Sequence, residues 1–457
     1  MLIKNYYKTL FYIFLLSHLI IWTIVPSLSN VNLPLDTIEA LAWGSNLSWG
    51  YSKHPPVSAF IVEVVYSFFG NRDWAYYLLS QIFIAIAFIY VWKFSNLIFK
   101  NKLHSLCSIF LLEGIYFYNF TSPEFNVNVC QLPFWAIVIY YSWKSINYEK
   151  ISDLILLGLF MSIGFLTKYL FIYLLLSIKI IFILIMLEKR NFKIRFMIPG
   201  IVFIIFLIPH VVWLFNNEFV TITYALNRTG IEELSLINHI YNPLIFLLKQ
   251  VGILAPVIIM LLTFINLKKL NFKILKKDKY FLLFINLLPI ILIFLTSLIS
   301  GAKIRTMWMT PFYLFIGVFI IQISKNSLNE KNFKKFLAAF LIFFIISPLS
   351  YLYVSLSNDF KRTDYPGKEI SDLVQRRWDR NFSNDISIVV GDEWYAGNLS
   401  YHLSSRPIWF NTIENDLSSI TSNTGVIYTG NPNILKKFCP GIYGTIKPIG
   451  ICMIGAK

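Results

Sequence analysis

Long apolar runs separated by short polar breaks fill the first three quarters of the chain. A helix of about 18 residues or more crosses a ~30 Å hydrocarbon core. On that measure the pattern predicts eleven spans, at 9–29, 74–92, 104–120, 127–143, 151–167, 169–187, 196–215, 244–265, 280–299, 307–323 and 336–355. After residue 355 the pattern changes. "TDYPGKEISDLVQRRWD" has the spacing of an amphipathic helix, and "DISIVVGDEW" and "TGVIYTG" are short β-like runs set among Gly, Asn and Pro. The expected fold is a polytopic α-helical membrane domain over 1–355, followed by a small soluble α/β domain over 356–457.

Composition supports the membrane reading. Of the 457 residues, 56% are hydrophobic and only 14% charged, with a mean hydropathy of +0.62. The net charge of +16 raises the question of nucleic acid. The positions of the cations answer it. With the N-terminal tail cytoplasmic, the segments on its side hold 21 Lys and Arg, whereas the opposite loops hold six. That is the positive-inside signature of an inner-membrane protein, not a nucleic-acid surface. The first span has no small-residue cleavage site after it and reads as retained. The loop 30–73 and the C-terminal domain then face the periplasm. If that side is oxidising, Cys439 and Cys452 can close a disulfide loop, while Cys107 and Cys130 read as packing residues.

A set of polar residues on the outer side is left over after topology is accounted for. The first loop ends in "LSWGYSKHPP", a polar break richer than any spacer requires. The second outer turn, "TSPEFNVN", carries Glu124; "LTKYL" carries Lys168; "SGAKIRTMW" carries Lys303 and Arg305. Each has an ordinary explanation alone: interfacial aromatics, a snorkelling Lys, prolines that start a helix. Together they place carboxylates and cations from separate loops at headgroup depth. A lipid phosphate is held by such cations, and a sugar by a carboxylate and aromatic faces.

These residues carry a resemblance. "LPLDTIEALAWGSNLSWGYSKHPP" resembles the first outer loop of the GT-C glycosyltransferases that use polyprenyl-phosphate sugars, in the branch of the protein O-mannosyltransferases and the aminoarabinose–lipid A transferases. Asp36, Tyr51, His54 and Pro55 fall on that loop's leading acid, Tyr, cation and Pro. "TSPEFNVNVCQLPFW" resembles the second outer loop with Glu124 at the acid position, "GFLTKYLF" the boundary-Lys segment, and "GAKIRTMWMTPF" a later motif matched by Lys303, Arg305 and Trp308. Two positions depart. Thr37 replaces the usual second acid, and Lys53 stands where some relatives carry an acid that helps hold a metal, so no metal ligands are assigned and a divalent metal stays open.

The resemblance implies a reaction at the periplasmic face. An acceptor oxygen displaces polyprenyl (undecaprenyl) phosphate from a sugar's anomeric carbon. Asp36 and Glu124 are the implied catalytic carboxylates. Tyr51, Lys53, His54, Lys168, Lys303 and Arg305 are the implied donor-phosphate residues. The implied acceptor is lipid A or a related glycolipid, with a protein hydroxyl as the alternative. A flippase or transporter would instead place ionisable residues near the bilayer midplane in repeated halves, and no half-repeat is visible.

Overall fold

The computed structural model describes residues 2–189, 193–230, 235–270, 276–358, 360–412, 424–446 and 449–457. Helix α1 (Leu2–Ser29) leads into the first loop, which itself folds into α2 (Leu35–Gly44) and α3 (Val57–Phe69) before α4 (Asp73–Ile98) returns. Helix α5 (Lys102–Phe110) breaks into 3-10 turns at Leu111–Gly114 and Tyr116–Tyr118. The one-turn α6 (Val127–Cys130) precedes α7 (Leu132–Tyr148), α8 (Ile151–Phe165), α9 (Ile172–Lys189), α10 (Ile198–Asn216) and α11 (Val220–Arg228). The bundle is completed by α12 (Asn238–Leu262), α13 (Lys276–Ser300), α14 (Ile316–Ser324) and α15 (Glu330–Ser357).

All eleven expected segments are helical, but not all are unbroken. Among the described residues, seven helices are long and apolar enough to cross a membrane. An eighth is bent by 51° between Thr306–Tyr313 and Ile316–Ser327, with Pro311 inside its 3-10 half. The expected span 104–120 stops being α-helical after Phe110, where the Asn119 amide donates to the Glu113 carbonyl at 2.8 Å and folds the chain back. Helix α8 has 15 residues and α7 has 17. An apolar run measures hydrophobicity, not continuity, so these interruptions are invisible in it. Ile201, Ile204, Ile205, Phe206 and Ile208 of α10 are exposed, as a lipid-facing surface requires.

The C-terminal elements are α16 (Gly367–Asp379), β1 (Ile386–Val390), α17 (Tyr395–His402), β2 (Ile408–Phe410), β3 (Gly425–Gly430), α18 (Pro432–Phe438), β4 (Ile442–Ile446) and β5 (Ile449–Ile454). The strands form one mixed sheet in the order β2-β1-β3-β5-β4. β1 runs parallel to β2 and β3, and β5 runs antiparallel to β3 and β4. A disulfide joins Cys439, after α18, to Cys452 in β5.

The apolar residues bury into two cores. One fills the helix bundle. The other contains Trp378, Val389, Ile427 and Met453 of the sheet region, and also Ala42, Trp43, Tyr51 and Ala59 of the first loop. The first loop therefore joins the two cores, since its Leu33, Ile38, Leu41 and Val62 pack into the bundle. Polar contacts repeat the link: the Asn32 amide donates to Asn398 at 2.7 Å, and Arg406 donates to the Leu41 carbonyl at 2.7 Å and to Glu63 at 2.6 Å.

Inside the bundle, α14 lies against α5 with no room for a side chain at Gly317, where an added Cβ would sit 2.1 Å from the Ser108 carbonyl oxygen. Gly317→Ala is expected to lose about 1–3 kcal/mol by overpacking. Gly200→Ala, inside α10 with open space around it, is expected to gain about 0.4–1 kcal/mol. Thermal unfolding in detergent, followed by tryptophan fluorescence, compares the two, and equal midpoints would refute the close packing.

Candidate functional site

The stretch around Trp49 is clamped from three sides. The His210 Nδ1 donates to the Trp49 carbonyl at 2.6 Å, which leaves Nε2 to accept from the Tyr169 hydroxyl at 2.6 Å. Gly50 sits on the Trp213 ring, where a Cβ would be 2.3 Å from a ring carbon. The Thr221 hydroxyl donates to the Tyr51 carbonyl at 2.6 Å. Helices α10 and α11 thus fix the loop that carries the expected site residues.

Tyr51 is committed to that loop. Its ring stacks on Trp43 at 5.4 Å, and its hydroxyl accepts from Ser48 N–H at 3.1 Å and donates to the Asn46 carbonyl at 3.3 Å. His54 is close to Trp43, with ring centroids 5.9 Å apart. Burial, then the charges of Lys168, Lys53 and Arg228, push its pKa down to about 3. His54 is therefore a neutral imidazole at physiological pH, not the cation that its motif position implies.

Asp36 and Glu124 meet. The Asp36 backbone N–H donates to Glu124 Oε1 at 3.1 Å, while the Asn126 amide donates to Oε2 at 3.4 Å. Asn126 also caps α6 by accepting from the Asn128 and Val129 N–H groups, so one short helix start sets the Glu124 orientation. Burial raises both carboxyl pKa values. Asp36 is pulled back chiefly by Lys168, and the Asp36 charge lifts Glu124 further. Lys168 donates to Asn128 Oδ1 at 2.6 Å and lies 5.4 Å over the Trp308 ring. Burial lowers its pKa to about 7, against the opposing pull of Asp36. Asp36, Glu124 and Lys168 form one electrostatic unit.

Lys53 has a different set of neighbours. It is ion-paired to Glu39 of α2, and also to Glu393 at 3.1 Å. It is thus engaged by two carboxylates and lines a cavity between the first loop and the C-terminal region, not the one described next. Burial raises the Glu39 pKa to about 7 even with Lys53 beside it.

A cavity of about 740 Å³ opens beside Glu124 and is lined by Arg228, Lys249, Lys303 and Arg305. Among the described residues none of these four cations makes an ion pair. Unpaired cations at a membrane boundary are expensive unless an anion joins them. The wall is completed by Asn126, Asn128 and the 3-10 segment that starts at Thr306. Four converging cations with a carboxylate at the rim suit a phosphate whose charge grows during a reaction.

Known proteins are similar to this chain in part of its sequence or in its fold. Residues 53–213 match the family described as dolichyl-phosphate-mannose-protein mannosyltransferase. The crystal structure of ArnT from Cupriavidus metallidurans in the apo state aligns over 98% of both chains with a TM-score of 0.62, at 10% identity. The chain therefore shares the fold of that structure along its whole length, and residues 53–213 carry the likeness to the mannosyltransferase family. An undecaprenyl phosphate-alpha-4-amino-4-deoxy-L-arabinose arabinosyl transferase of Wigglesworthia glossinidia brevipalpis is 30% identical over 149 residues, 31% of this chain and 26% of that protein. The chain thus spans about a quarter of that relative's length.

The expected residues divide into two groups. Glu124, Lys303 and Arg305 line the cationic cavity, with Asp36 against Glu124 and Lys168 against the lining residue Asn128; Tyr51, Lys53 and His54 are occupied or neutral elsewhere. Sequence reading missed Lys249, although a lone Lys inside the apolar run of α12 is itself a signal. Arg228 was legible only as an outer cation, because nothing local joins it to Lys303; the Lys303 N–H donates to the neighbouring Thr229 carbonyl at 3.0 Å. Among the described residues no group of three or more His, Cys, Asp or Glu is arranged to hold a metal. Asp36 and Glu124 form a pair without a third such group beside them among the described residues.

Lys168 lowers the Asp36 pKa that burial has raised. Removing the cation in Lys168→Gln is therefore expected to raise that pKa further. Activity that needs ionised Asp36 then begins to fall at a higher pH on the acid side, whereas Lys168→Arg keeps the wild-type limb. A pH profile of transfer rate measures this, and an unmoved acid limb in Lys168→Gln would sever the coupling.

Proposed function

We propose that this chain transfers a sugar from a polyprenyl phosphate, undecaprenyl phosphate in bacteria, to lipid A or a related surface glycolipid on the periplasmic side of the inner membrane. The observation that carries the reading is the cavity lined by four cations without an ion-pair partner among the described residues, next to the half-buried Glu124–Asp36 pair. Charge bias of the loops supports a cytoplasmic N-terminus and a periplasmic C-terminal region. The Cys439–Cys452 disulfide agrees with an oxidising compartment there. Membrane lipids surround the bundle, and the donor's prenyl chain is one of them.

In the reaction, an acceptor oxygen forms a bond to the anomeric carbon while the bond from that carbon to the phosphate oxygen breaks. The bonding pair leaves on the phosphate. Arg305, Lys303, Arg228 and Lys249 stabilise the charge that develops there. Asp36 receives the proton when the acceptor is a hydroxyl, and Glu124 holds the Asp36 backbone in place. Transfer to a protein hydroxyl is the second reading, favoured by the match to the mannosyltransferase family.

Loss of one cation aimed at developing charge costs about 10²–10³ in rate, and loss of a general base about 10²–10⁴. Mass spectrometry of lipid A from cells carrying the wild-type chain, Arg305→Ala, Asp36→Asn or no chain tests the proposal at matched membrane levels. One sugar-sized increment is expected in the wild type and absent or strongly reduced in the others. Identical spectra in all four strains would remove lipid A as the acceptor.

A further inference from the structure

Two ionisable side chains inside the helix bundle take no part in the proposed reaction. His18 of α1 and Glu113, in the 3-10 turn that ends α5, are each 2% exposed, and His18 Nδ1 lies 3.4 Å from Glu113 Oε2. The imidazole is otherwise walled by Phe14, Trp22 and Phe88, at 5.7, 6.4 and 5.8 Å between ring centroids. Its Nε2 meets no hydrogen-bond partner among the described residues. A polar pair this deep in a bundle is costly, and apolar side chains would pack there as well or better. Its presence needs a reason other than stability.

The second carboxyl oxygen supplies one. The Asn119 amide donates to Glu113 Oε1 at 3.3 Å as well as to the Glu113 carbonyl. Asn119 in turn organises the chain that follows it. Its Oδ1 accepts from the Phe120 N–H at 2.5 Å, and its carbonyl accepts from the Ser122 N–H at 3.0 Å and the Ser122 hydroxyl at 2.7 Å. Ser122 is gripped from α4, where the Ser80 hydroxyl donates to its carbonyl and the Gln81 amide donates to its hydroxyl at 3.1 Å. Two residues further on comes Glu124, and Thr121 and Glu124 both line the cationic cavity. One buried polar thread therefore runs from the middle of the bundle to the cavity rim. The same turn is seated on α12, the helix of Lys249, since a Cβ on Gly114 would be 3.0 Å from the Val257 nitrogen.

We infer that His18 and Glu113 are positioning residues of the transfer site. They act through Asn119 on the turn that carries Glu124, and through Glu124 on the Asp36 backbone. This rests on the reading of the cationic cavity as the donor site. His18 holds the Glu113 carboxyl in the orientation that offers Oε1 to Asn119. Loss of the pair then slows transfer but leaves the grip on phosphate to Arg228, Lys249, Lys303 and Arg305. A purely structural pair would lower both in step with the loss of folded protein.

The test measures two quantities on the full chain at matched levels of folded protein. One is the initial rate at which the sugar increment appears on lipid A, by mass spectrometry; the other is the affinity of the purified protein for undecaprenyl phosphate. Glu113→Leu is expected to slow transfer about ten- to a hundredfold, the cost of a misplacement near 1 Å, with undecaprenyl phosphate binding unchanged. Glu113→Gln keeps an acceptor oxygen for Asn119 and is expected to hold the wild-type rate within about threefold. The double variant His18→Leu/Glu113→Leu removes both polar partners. It is expected to fold as well as the wild type and to transfer as slowly as Glu113→Leu. A wild-type rate in the double variant would overturn the inference, because the pair would then serve only to compensate itself. So would a fall in undecaprenyl phosphate affinity as large as the fall in rate. A wild-type increment no greater than that of Arg305→Ala would overturn the donor reading and this inference with it.

Discussion

The hydrogen bond from the Asp36 N–H to Glu124 joins two segments that the sequence keeps 88 positions apart. It sets the start of α2 against the turn that precedes α6, at the depth where bundle gives way to water-facing structure. Neither carboxylate is comfortable there. Burial pushes both toward protonation, and chiefly the nearby cation Lys168, itself driven toward neutrality, opposes the shift at Asp36, with Lys53, Arg362 and Arg228 behind it. A small electrostatic cluster poised between protonation states is what general-base chemistry near neutral pH requires. The clamp of His210, Trp213 and Thr221 on the first loop keeps that cluster from relaxing.

On either side of the cluster the protein treats charge in opposite ways. Arg228, Lys249, Lys303 and Arg305 are left open toward one cavity, while Lys53, Lys361 and their carboxylates close on each other in the second. Uncommitted cations are stabilised by an anionic ligand; committed pairs create a polar surface that no ion needs to neutralise. The contrast distinguishes the two cavities.

Much of this was legible in the chain, for identifiable reasons. Apolar run length located the helical segments, because burial in lipid acts on every residue of a span. Glu124, Lys168, Lys303 and Arg305 stood out because a charge at that depth is costly without a purpose. What escaped was non-local. The partner of Lys53, Glu393, is 340 positions downstream, so its role in a phosphate site and its actual ion pairs look alike in sequence. The neutrality of His54 follows from burial, which the local "SKHPP" does not encode. The break after Phe110 depends on a side-chain hydrogen bond from Asn119, not on hydropathy.

The shared core of the first loop and the C-terminal sheet has a consequence in time. Asn32 and Asn398, which touch in the finished protein, are separated by 366 positions. At about 5–20 residues per second of synthesis, the first loop emerges tens of seconds before the strands that cover it exist. Trp43 and Ala42 must wait uncovered through the insertion of every later helix. The first loop is among the first parts of the chain to be made and among the last to be fully covered, so truncations near the C-terminus should be felt first at its opposite end.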